Sequence, residues 1–237
     1  MNPCVLIPCY NHGATVGAVA RGALAYCPVL VVDDGSAPPV SVPAGVELIR
    51  FDQNRGKAAA LRAGFDHAAQ AGFTHVITMD ADAQHAPADL PKFLAAVAQQ
   101  PDALVVGIRD FVAAGAPGRR RRANAVSNFW FRIETGIRLP DTQCGFRCYP
   151  LALVRRLQIH SGRYAYELEV LVRAVWAGAM LVPVAVRCSY QPAQVRQSHF
   201  RPWLDSWRIA NVNARLVWRA WVWPAVRRRS AHNWLDK

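Results

Sequence analysis

Residues 74–90 read THVITMDADAQHAPADL, in which a short apolar run leads directly into two aspartates. Val76 to Met79 form the run, and Asp80 and Asp82 follow it two positions apart. Because a buried carboxylate without a partner is strongly unfavourable, acids at the end of a strand are expected where water, a cation or a ligand can reach them. The stretch therefore predicts a strand whose carboxyl end faces a positively charged partner.

The same order of a short strand and a helix recurs over the first 110 residues. Strands are predicted at 4–9, 29–36, 46–51, 75–80 and 103–107, and helices at 14–26, 56–72 and from Pro87 to about 99. This alternation indicates an α/β fold with a mainly parallel central sheet and helices on both faces. Ligands of such sheets bind beyond the carboxyl ends of the strands, where Asp33, Asp34, Asp80 and Asp82 are expected.

The pattern changes after residue 110, but no internal repeat and no low-complexity linker appears. A basic and aromatic helix comes first, followed by a turn-rich strand candidate at 139–150, a periodic helix at 164–179 and a last strand at 180–190. Residues 1–199 are therefore predicted to form one catalytic domain, and residues 200–237 a separate tail.

The tail is rich in tryptophan and arginine. Its tryptophans are Trp203, Trp207, Trp218, Trp221, Trp223 and Trp234, and arginines lie between them. These two residue types suit the headgroup layer of a membrane, so the tail is predicted to be an amphipathic helix on an anionic membrane surface. A helix packed on the body of the protein and an oligomer interface are the alternatives.

Charge and cysteine usage narrow the class of protein. The formal net charge of the 237 residues is +12, and two arginine runs, 119–122 and 227–229, contribute much of it. Such clusters favour a polyanion, an anionic membrane or a phosphate-bearing ligand, although no nucleic-acid-binding motif is present. The six cysteines form no CxxC pair, and no leader precedes them, which predicts a cytosolic protein with reduced thiols. No apolar run reaches the roughly 20 residues needed to cross a bilayer.

Several motifs together resemble those of family two inverting glycosyltransferases of the GT-A fold. In order they are LIPCYNHG (6–13), VVDDGS (31–36), NRGKAAALRAG (54–64), MDADAQH (79–85), DTQCGFRCY (141–149) and YELEVLVRA (166–174). Within that family the sequence is most similar to the dolichyl- or polyprenyl-phosphate sugar synthases. The resemblance spans roughly residues 3 to 190.

The resemblance implies a donor that is a UDP- or GDP-linked sugar, bound with Mg²⁺ or Mn²⁺. The implied nucleotide-binding residues are Pro8, Tyr10, Asn11, Asp33, Asp34, Lys57, Asp80 and Ala81. Asp82 and Gln84 would hold the metal, because hard cations prefer oxygen ligands. His85 is a further candidate ligand, with a place beside the metal site as the alternative.

Arg109, Asp141 and Glu167 are the implied catalytic residues. Arg109 would bind a phosphate, and Asp141 or Glu167, with Glu169 as another choice, would act as the base for a hydroxyl acceptor. A lipid phosphate is already ionised at neutral pH and needs no base, in which case Asp141 would orient the acceptor or Arg147. A structural salt bridge between Asp141 and Arg147 is the alternative.

The implied contacts to the diphosphate or the acceptor are Arg147, Arg196, Ser198 and His199. His199 stands where lipid-phosphate relatives often have lysine, so another membrane-associated lipid stays open as acceptor. The sequence thus predicts an inverting glycosyltransferase with a lipid-linked acceptor at the cytoplasmic face of a membrane, possibly a homo-oligomer. A catalytically inactive member that binds a lipid or a partner, and a nucleotidyltransferase, are the rival interpretations.

Overall fold

The computed structural model describes residues 1–163, 165–190 and 202–222. Its strands are β1 (Pro3–Cys9), β2 (Val29–Asp33), β3 (Val46–Arg50), β4 (His75–Thr78), β5 (Leu104–Arg109), β6 (Arg147–Pro150) and β7 (Leu181–Val186). Its helices are α1 (Gly13–Leu24), α2 (Lys57–Gln70), α3 (Leu90–Gln99), α4 (Gly118–Thr135), α5 (Leu151–Arg156), α6 (Ala165–Trp176) and α7 (Pro202–Val222), and a 3-10 turn at Pro87–Asp89 precedes α3.

The strands form one sheet in the order β3-β2-β1-β4-β6-β5-β7. Neighbouring strands are parallel except at β6, which lies antiparallel between β4 and β5. The predicted α/β fold with a mainly parallel sheet is therefore confirmed. The predicted strand at 139–150 is shorter than expected, because only its last four residues join the sheet.

Both faces of the sheet are covered by helices, as the alternation of strands and helices predicted. Leu6 and Val76 point to a core shared with α2, α4, α5, α6 and α7. Ile7 and Ile77, their neighbours along the two strands, point to a second core shared with α1 and α3. Side chains of a strand alternate between faces, so each central strand supplies both cores. This two-sided burial fixes the strands rigidly and leaves their carboxyl ends as the open edge.

Helix α7 packs on the body through small and aliphatic side chains and exposes its tryptophans. Leu216 and Ala220 are buried in the core that contains α4 and α6. Trp207, Trp218 and Trp221 are 67%, 73% and 70% exposed. The helix thus combines the predicted contact with the body and an outward aromatic face. No helix among the described residues is long and apolar enough to span a membrane.

The first arginine run, residues 119–122, forms the first turn of α4. Pro117 precedes the helix, and Gly136 ends it in a left-handed conformation. The amino terminus of a helix carries a partial positive charge, so four cations there repel the dipole unless an anion is close. The second run, residues 227–229, lies outside the described residues.

Candidate active site

The carboxyl ends of β1, β2, β4 and β5 open into one cavity of about 1660 Å³. It brings together most of the residues that the sequence predicted, from motifs up to 159 residues apart. The predicted residues that line it are Pro8, Tyr10, Asp34, Lys57, Asp80, Ala81, Asp82, Gln84, Arg109, Arg147 and Glu167. Asn11, Asp33 and Asp141 do not line it, and Arg196, Ser198 and His199 fall outside the described residues.

A group of charged side chains lies at the end of β4, and we call Lys57, Asp80, Asp82 and Glu167 the strand-end cluster. The Lys57 ammonium lies 2.7 Å from Asp80 Oδ1 and 3.0 Å from Glu167 Oε2. Burial alone would raise the pKa of Asp80, but the Lys57 charge lowers it to about 2. Lys57, predicted to contact the nucleotide, therefore also holds two carboxylates from different elements in place.

Asp82 differs from Asp80 because no lysine or arginine of the described residues forms an ion pair with it. Its Oδ1 accepts a hydrogen bond of 3.1 Å from the Gln84 amide, and Ala83 between them has a left-handed φ of 58°. Burial, together with the neighbouring Asp80 charge, raises the pKa of Asp82. A carboxylate in this position is stabilised by an added cation.

The donors at this point fit a hard divalent cation. Asp82 and Gln84 supply carboxylate and amide oxygens, which Mg²⁺ and Mn²⁺ prefer. The described residues contain no group of three or more His, Cys, Asp and Glu side chains that could hold a metal. A cation here would thus take further oxygen ligands from water or from a phosphate, as Mg²⁺ commonly does.

His85 belongs to the floor of the cavity. Its ring lies 5.5 Å from the Phe146 ring, and its Nε2 is 3.8 Å from Cys144 Sγ. Burial lowers the pKa of the imidazole. These contacts support the predicted alternative of a place beside the metal site.

Arg109 is held by Asp141 in a two-point ion pair. Its Nε lies 2.7 Å from Asp141 Oδ2 and its second terminal nitrogen 2.9 Å from Oδ1. Asp141 is fully buried and also accepts the Gln143 amide hydrogen. The predicted alternative partner of Asp141, Arg147, is therefore wrong. Since both carboxylate oxygens are occupied, Asp141 is arranged to position Arg109 at the cavity wall.

The prediction that Arg147 contacts a diphosphate or acceptor is wrong. The side chain is buried, and its guanidinium donates to the carbonyl oxygens of Thr142, Cys144 and Glu167, each at 2.8 Å. These bonds tie the loop before β6 to the start of α6. Arg147 consequently stabilises the wall that carries Glu167.

Asp33 also has a structural role, in contrast to the predicted nucleotide contact. Its carboxylate accepts the Ser36 amide hydrogen at 3.0 Å and forms an ion pair with Arg50. The pairing of β2 with β3 places Arg50 directly beside Asp33. With a fully buried carboxylate, Asp33 closes the turn and does not reach the cavity.

Asp34 faces the cavity while it fastens the loop before α2. Its Oδ1 accepts the Arg55 amide hydrogen at 2.6 Å, and its Oδ2 accepts those of Gly56 at 2.8 Å and the Asn54 side chain at 3.0 Å. Burial raises the pKa of the Asp34 carboxyl. The loop that begins α2 is thereby fixed to the end of β2.

Two further predicted residues serve the scaffold. Asn11 donates its amide hydrogen to Ser36 Oγ at 2.8 Å, and its Oδ1 accepts the Ala37 amide hydrogen at 3.0 Å. Glu169 accepts the Ser161 amide hydrogen at 2.7 Å and pairs with Arg173 at 2.5 Å, and it does not line the cavity. The interpretations of Asn11 as a direct nucleotide contact and of Glu169 as a base are therefore not supported by the structure.

The cavity extends from the strand-end cluster to a surface formed by two helices, which we call the helical wall. It consists of Ala123, Val126 and Trp130 on α4 and Ile209, Val217, Trp218 and Trp221 on α7. Arg119 and Arg120 line the same cavity at the start of α4. The interleaved tryptophans of the tail signalled an apolar surface in the sequence, but nothing in it placed that surface opposite the acids.

Comparison with known proteins gives a family match. Residues 4–159 match the model of glycosyl transferase family 2. Polyprenol monophosphomannose synthase of Mycolicibacterium smegmatis is 29% identical over 201 residues, which are 77% of this chain and 75% of that protein. Undecaprenyl-phosphate mannosyltransferase of Micrococcus luteus is 29% identical over 205 residues, 78% of this chain and 83% of that protein.

Solved structures match the fold. Glucosyl-3-phosphoglycerate synthase from Mycobacterium tuberculosis, crystallised with Mn²⁺, UDP-glucose and phosphoglyceric acid, superposes with a TM-score of 0.66 at 18% identity. The superposition covers 91% of this chain and 79% of that protein. The GT-A fold expected from the sequence motifs is confirmed.

Proposed function

This chain belongs to glycosyl transferase family 2, and on that premise we propose that it transfers a sugar from a nucleotide diphosphate to a polyprenyl phosphate or a similar membrane lipid. One observation carries the proposal: a single cavity joins the strand-end cluster to the apolar helical wall. Carboxylates that suit a metal and a nucleotide thus share a space with side chains that suit a lipid chain. The names of the two relatives support this choice of acceptor.

The donor occupies the half of the cavity below β1, β2 and β4. Tyr10 stacks on the base, and Pro8, Asp34 and Ala81 complete the nucleoside pocket. A divalent cation held by Asp82 and Gln84 would neutralise charge on the departing diphosphate. Lys57 keeps Asp80 ionised beside that position.

The acceptor phosphate attacks the anomeric carbon from the side opposite the diphosphate, which inverts the configuration. A phosphate is ionised at neutral pH, so the reaction needs no base. Glu167, paired with Lys57, fixes the ammonium in the cluster. Arg109, held in one orientation by Asp141, stabilises the charge that develops on the leaving group.

The lipid chain lies along the helical wall. Arg119 and Arg120, in the first turn of α4, face the cavity, and an anionic headgroup there relieves their repulsion by the helix dipole. Trp218 and Trp221 are exposed enough to enter a membrane interface together with the rest of the tail at 200–237. The free cysteines of the described residues fit a reducing compartment, so the cytoplasmic face of the membrane is the expected location.

Calorimetric titration with UDP and GDP, each with and without Mn²⁺, tests the donor site. We expect metal-dependent binding of one of the two nucleotides. Turnover is then measured with the matching nucleotide sugars and polyprenyl phosphate in vesicles. Binding without turnover of any lipid acceptor would favour an inactive member of the family, and the absence of any nucleotide binding would contradict the proposal.

A further inference from the structure

Arg163 lines the cavity, although it belongs to none of the motifs that resemble the family. It ends the loop before α6 in a left-handed conformation, with φ at 51°. A residue other than glycine in this region is strained, and such strain often accompanies function. Within the described residues its guanidinium forms no hydrogen bond and no ion pair. Five N–H donors are therefore available to a ligand.

The position of Arg163 identifies the part of the cavity that it serves. A Cβ atom added to Gly56 would lie 3.1 Å from Arg163 Cγ and 3.8 Å from Cζ, so the side chain crosses the start of α2. The Gly56 amide donates to Asp34 Oδ2 at 2.8 Å, which places Arg163 next to Asp34. Burial raises the pKa of Asp34, and the nearby Arg163 charge acts against this rise.

This corner is well separated from the metal-binding acids. Asp34 follows β2 and Asp82 follows β4, and β1 lies between these two strands. Two strand spacings correspond to about 10 Å. Arg163 therefore lies at the end of the donor site that is remote from the diphosphate.

We propose that Arg163 reads the nucleobase of the donor by donating a hydrogen bond to a keto oxygen beside Asp34. The inference rests on the proposed function, which requires a nucleotide donor. A guanidinium only donates and a carboxylate only accepts, so the pair matches a ring N–H next to a carbonyl. Uracil and guanine present this edge. Cytosine and adenine present an acceptor nitrogen and an amino group there, which would leave both protein groups unpaired.

The test is the affinity of wild type and Arg163→Ala for UDP, CDP, GDP and ADP, measured by calorimetry with Mn²⁺. Wild type should bind one keto nucleotide more tightly than its amino counterpart. In Arg163→Ala we expect the affinity for that nucleotide to fall about 10- to 100-fold, as for loss of a hydrogen bond to a charged group. The affinity for the amino counterpart should stay the same, so the preference disappears.

Arg55→Ala is the matched control. Arg55 precedes Gly56, lies outside the cavity and places its guanidinium 4.8 Å from the centre of the Phe51 ring. Its removal should leave all four affinities unchanged. Arg163→Lys, which keeps one charged donor, should retain part of the preference and serves as the second variant if Arg163→Ala does not fold.

Two results would overturn the inference. Unchanged affinities in Arg163→Ala would show that the side chain does not touch the nucleotide. An equal loss for all four nucleotides would assign it to the ribose, the diphosphate or the scaffold. If wild type binds none of the four, the proposed function itself fails, and this outcome is distinct because it does not depend on the variant.

Discussion

The strand-end cluster and the helical wall line the same cavity but satisfy their side chains in different ways. Lys57 neutralises Asp80 and Glu167 within the chain, at 2.7 and 3.0 Å. In the helical wall, Trp218 and Trp221 stay more than two-thirds exposed. The strands, buried on both sides, can hold charges at fixed distances, whereas α7 offers an apolar face whose cover is not found among the described residues.

This difference teaches which half of the cavity is complete before ligands arrive. The charged half is organised by hydrogen bonds and ion pairs, which suits a small polar donor and a metal. The apolar half is open at its outer side, which suits a chain that enters from a lipid phase. We therefore expect substitutions in the two halves to affect different measurements.

The largest effect is expected from Asp82→Asn. Loss of the charge that would hold the cation should lower turnover roughly a hundred- to a thousandfold, while vesicle binding stays unchanged. Steady-state kinetics at saturating Mn²⁺, together with vesicle sedimentation, checks both parts. Asp102→Asn, at an exposed residue before β5, is the control and should behave as wild type. Full turnover in Asp82→Asn would refute the metal site.

A second prediction concerns a buried acid behind the helical wall. Glu134 on α4 is fully buried, both of its carboxylate oxygens lack a partner, and burial raises its pKa from 4.5 to about 8. The folded protein keeps the proton over this interval while the unfolded chain loses it. The free energy of unfolding should therefore fall as the pH rises from about 4.5 to 8.

Glu134→Leu removes this pH dependence. We expect the variant to be more stable than wild type by about 3 kcal/mol at pH 8, with a clearly smaller difference at pH 5. Urea unfolding at the two pH values measures it. Glu47→Leu, at an acid on β3 outside both cores, is the control. An advantage of equal size at both pH values would show that Glu134 is ionised in the folded state.

Lys57→Met tests the claim that the strand-end cluster is neutralised from within. It should cost about 2 kcal/mol of stability at pH 7, because Asp80 and Glu167 lose their shared cation. Since the pKa of Asp80 is depressed to about 2, this contribution exists above its ordinary 3.8 and is lost as the pH falls towards 2. Urea unfolding from pH 7 down to 2.5 should show the two proteins converge.

The control for this variant is Lys92→Met. Lys92 lies 2.8 Å from Asp89, but Asp89 keeps Arg187 as a second cation. Its removal should therefore cost less than that of Lys57. Equal losses would mean that the strand-end cluster is no more dependent on its lysine than an ordinary surface pair.

The smallest effect is expected in the helical wall. Combined Trp218→Ala and Trp221→Ala should weaken binding to vesicles of anionic lipid about tenfold and leave nucleotide affinity unchanged. Vesicle sedimentation and calorimetry check the two parts. Tyr26→Ala, which removes an exposed aromatic side chain between α1 and β2, should change neither. A loss of nucleotide affinity in the tryptophan variant would contradict the division of the cavity into two halves.

The sequence predicted the order of the elements and the convergence of the acids. Periodicity and glycine positions are local signals, so α2 was expected to end at Gly72, which has a φ of 80° in the structure. Parallel strands bring their carboxyl ends to one edge, so Asp34, Asp80 and Asp82 were expected to share one cavity. These conclusions depend on short stretches of sequence and on one rule of topology.

The partners of the charged side chains were beyond the sequence. Asp33 meets Arg50 only because β2 and β3 pair in a particular register, and Asp141 meets Arg109 because β5 ends beside the loop before β6. Arg163 has no motif to mark it, since its position depends on how α6 approaches α2. A carboxylate or guanidinium looks the same in a sequence whether it is used by the scaffold or left for a ligand.

The antiparallel strand β6 has a consequence for how the chain folds. Because β6 lies between β4 and β5, those two strands cannot pair with each other, and the space between them stays open until residues 147–150 arrive. Strands β1 to β4 can associate through short connections, but joining β5 and β7 to them requires a segment more than 65 residues beyond β4. Contacts of such separation slow folding, because loop closure must precede them. During synthesis the first half of the sheet can thus be formed while its edge at β4 waits for the strand that will complete it.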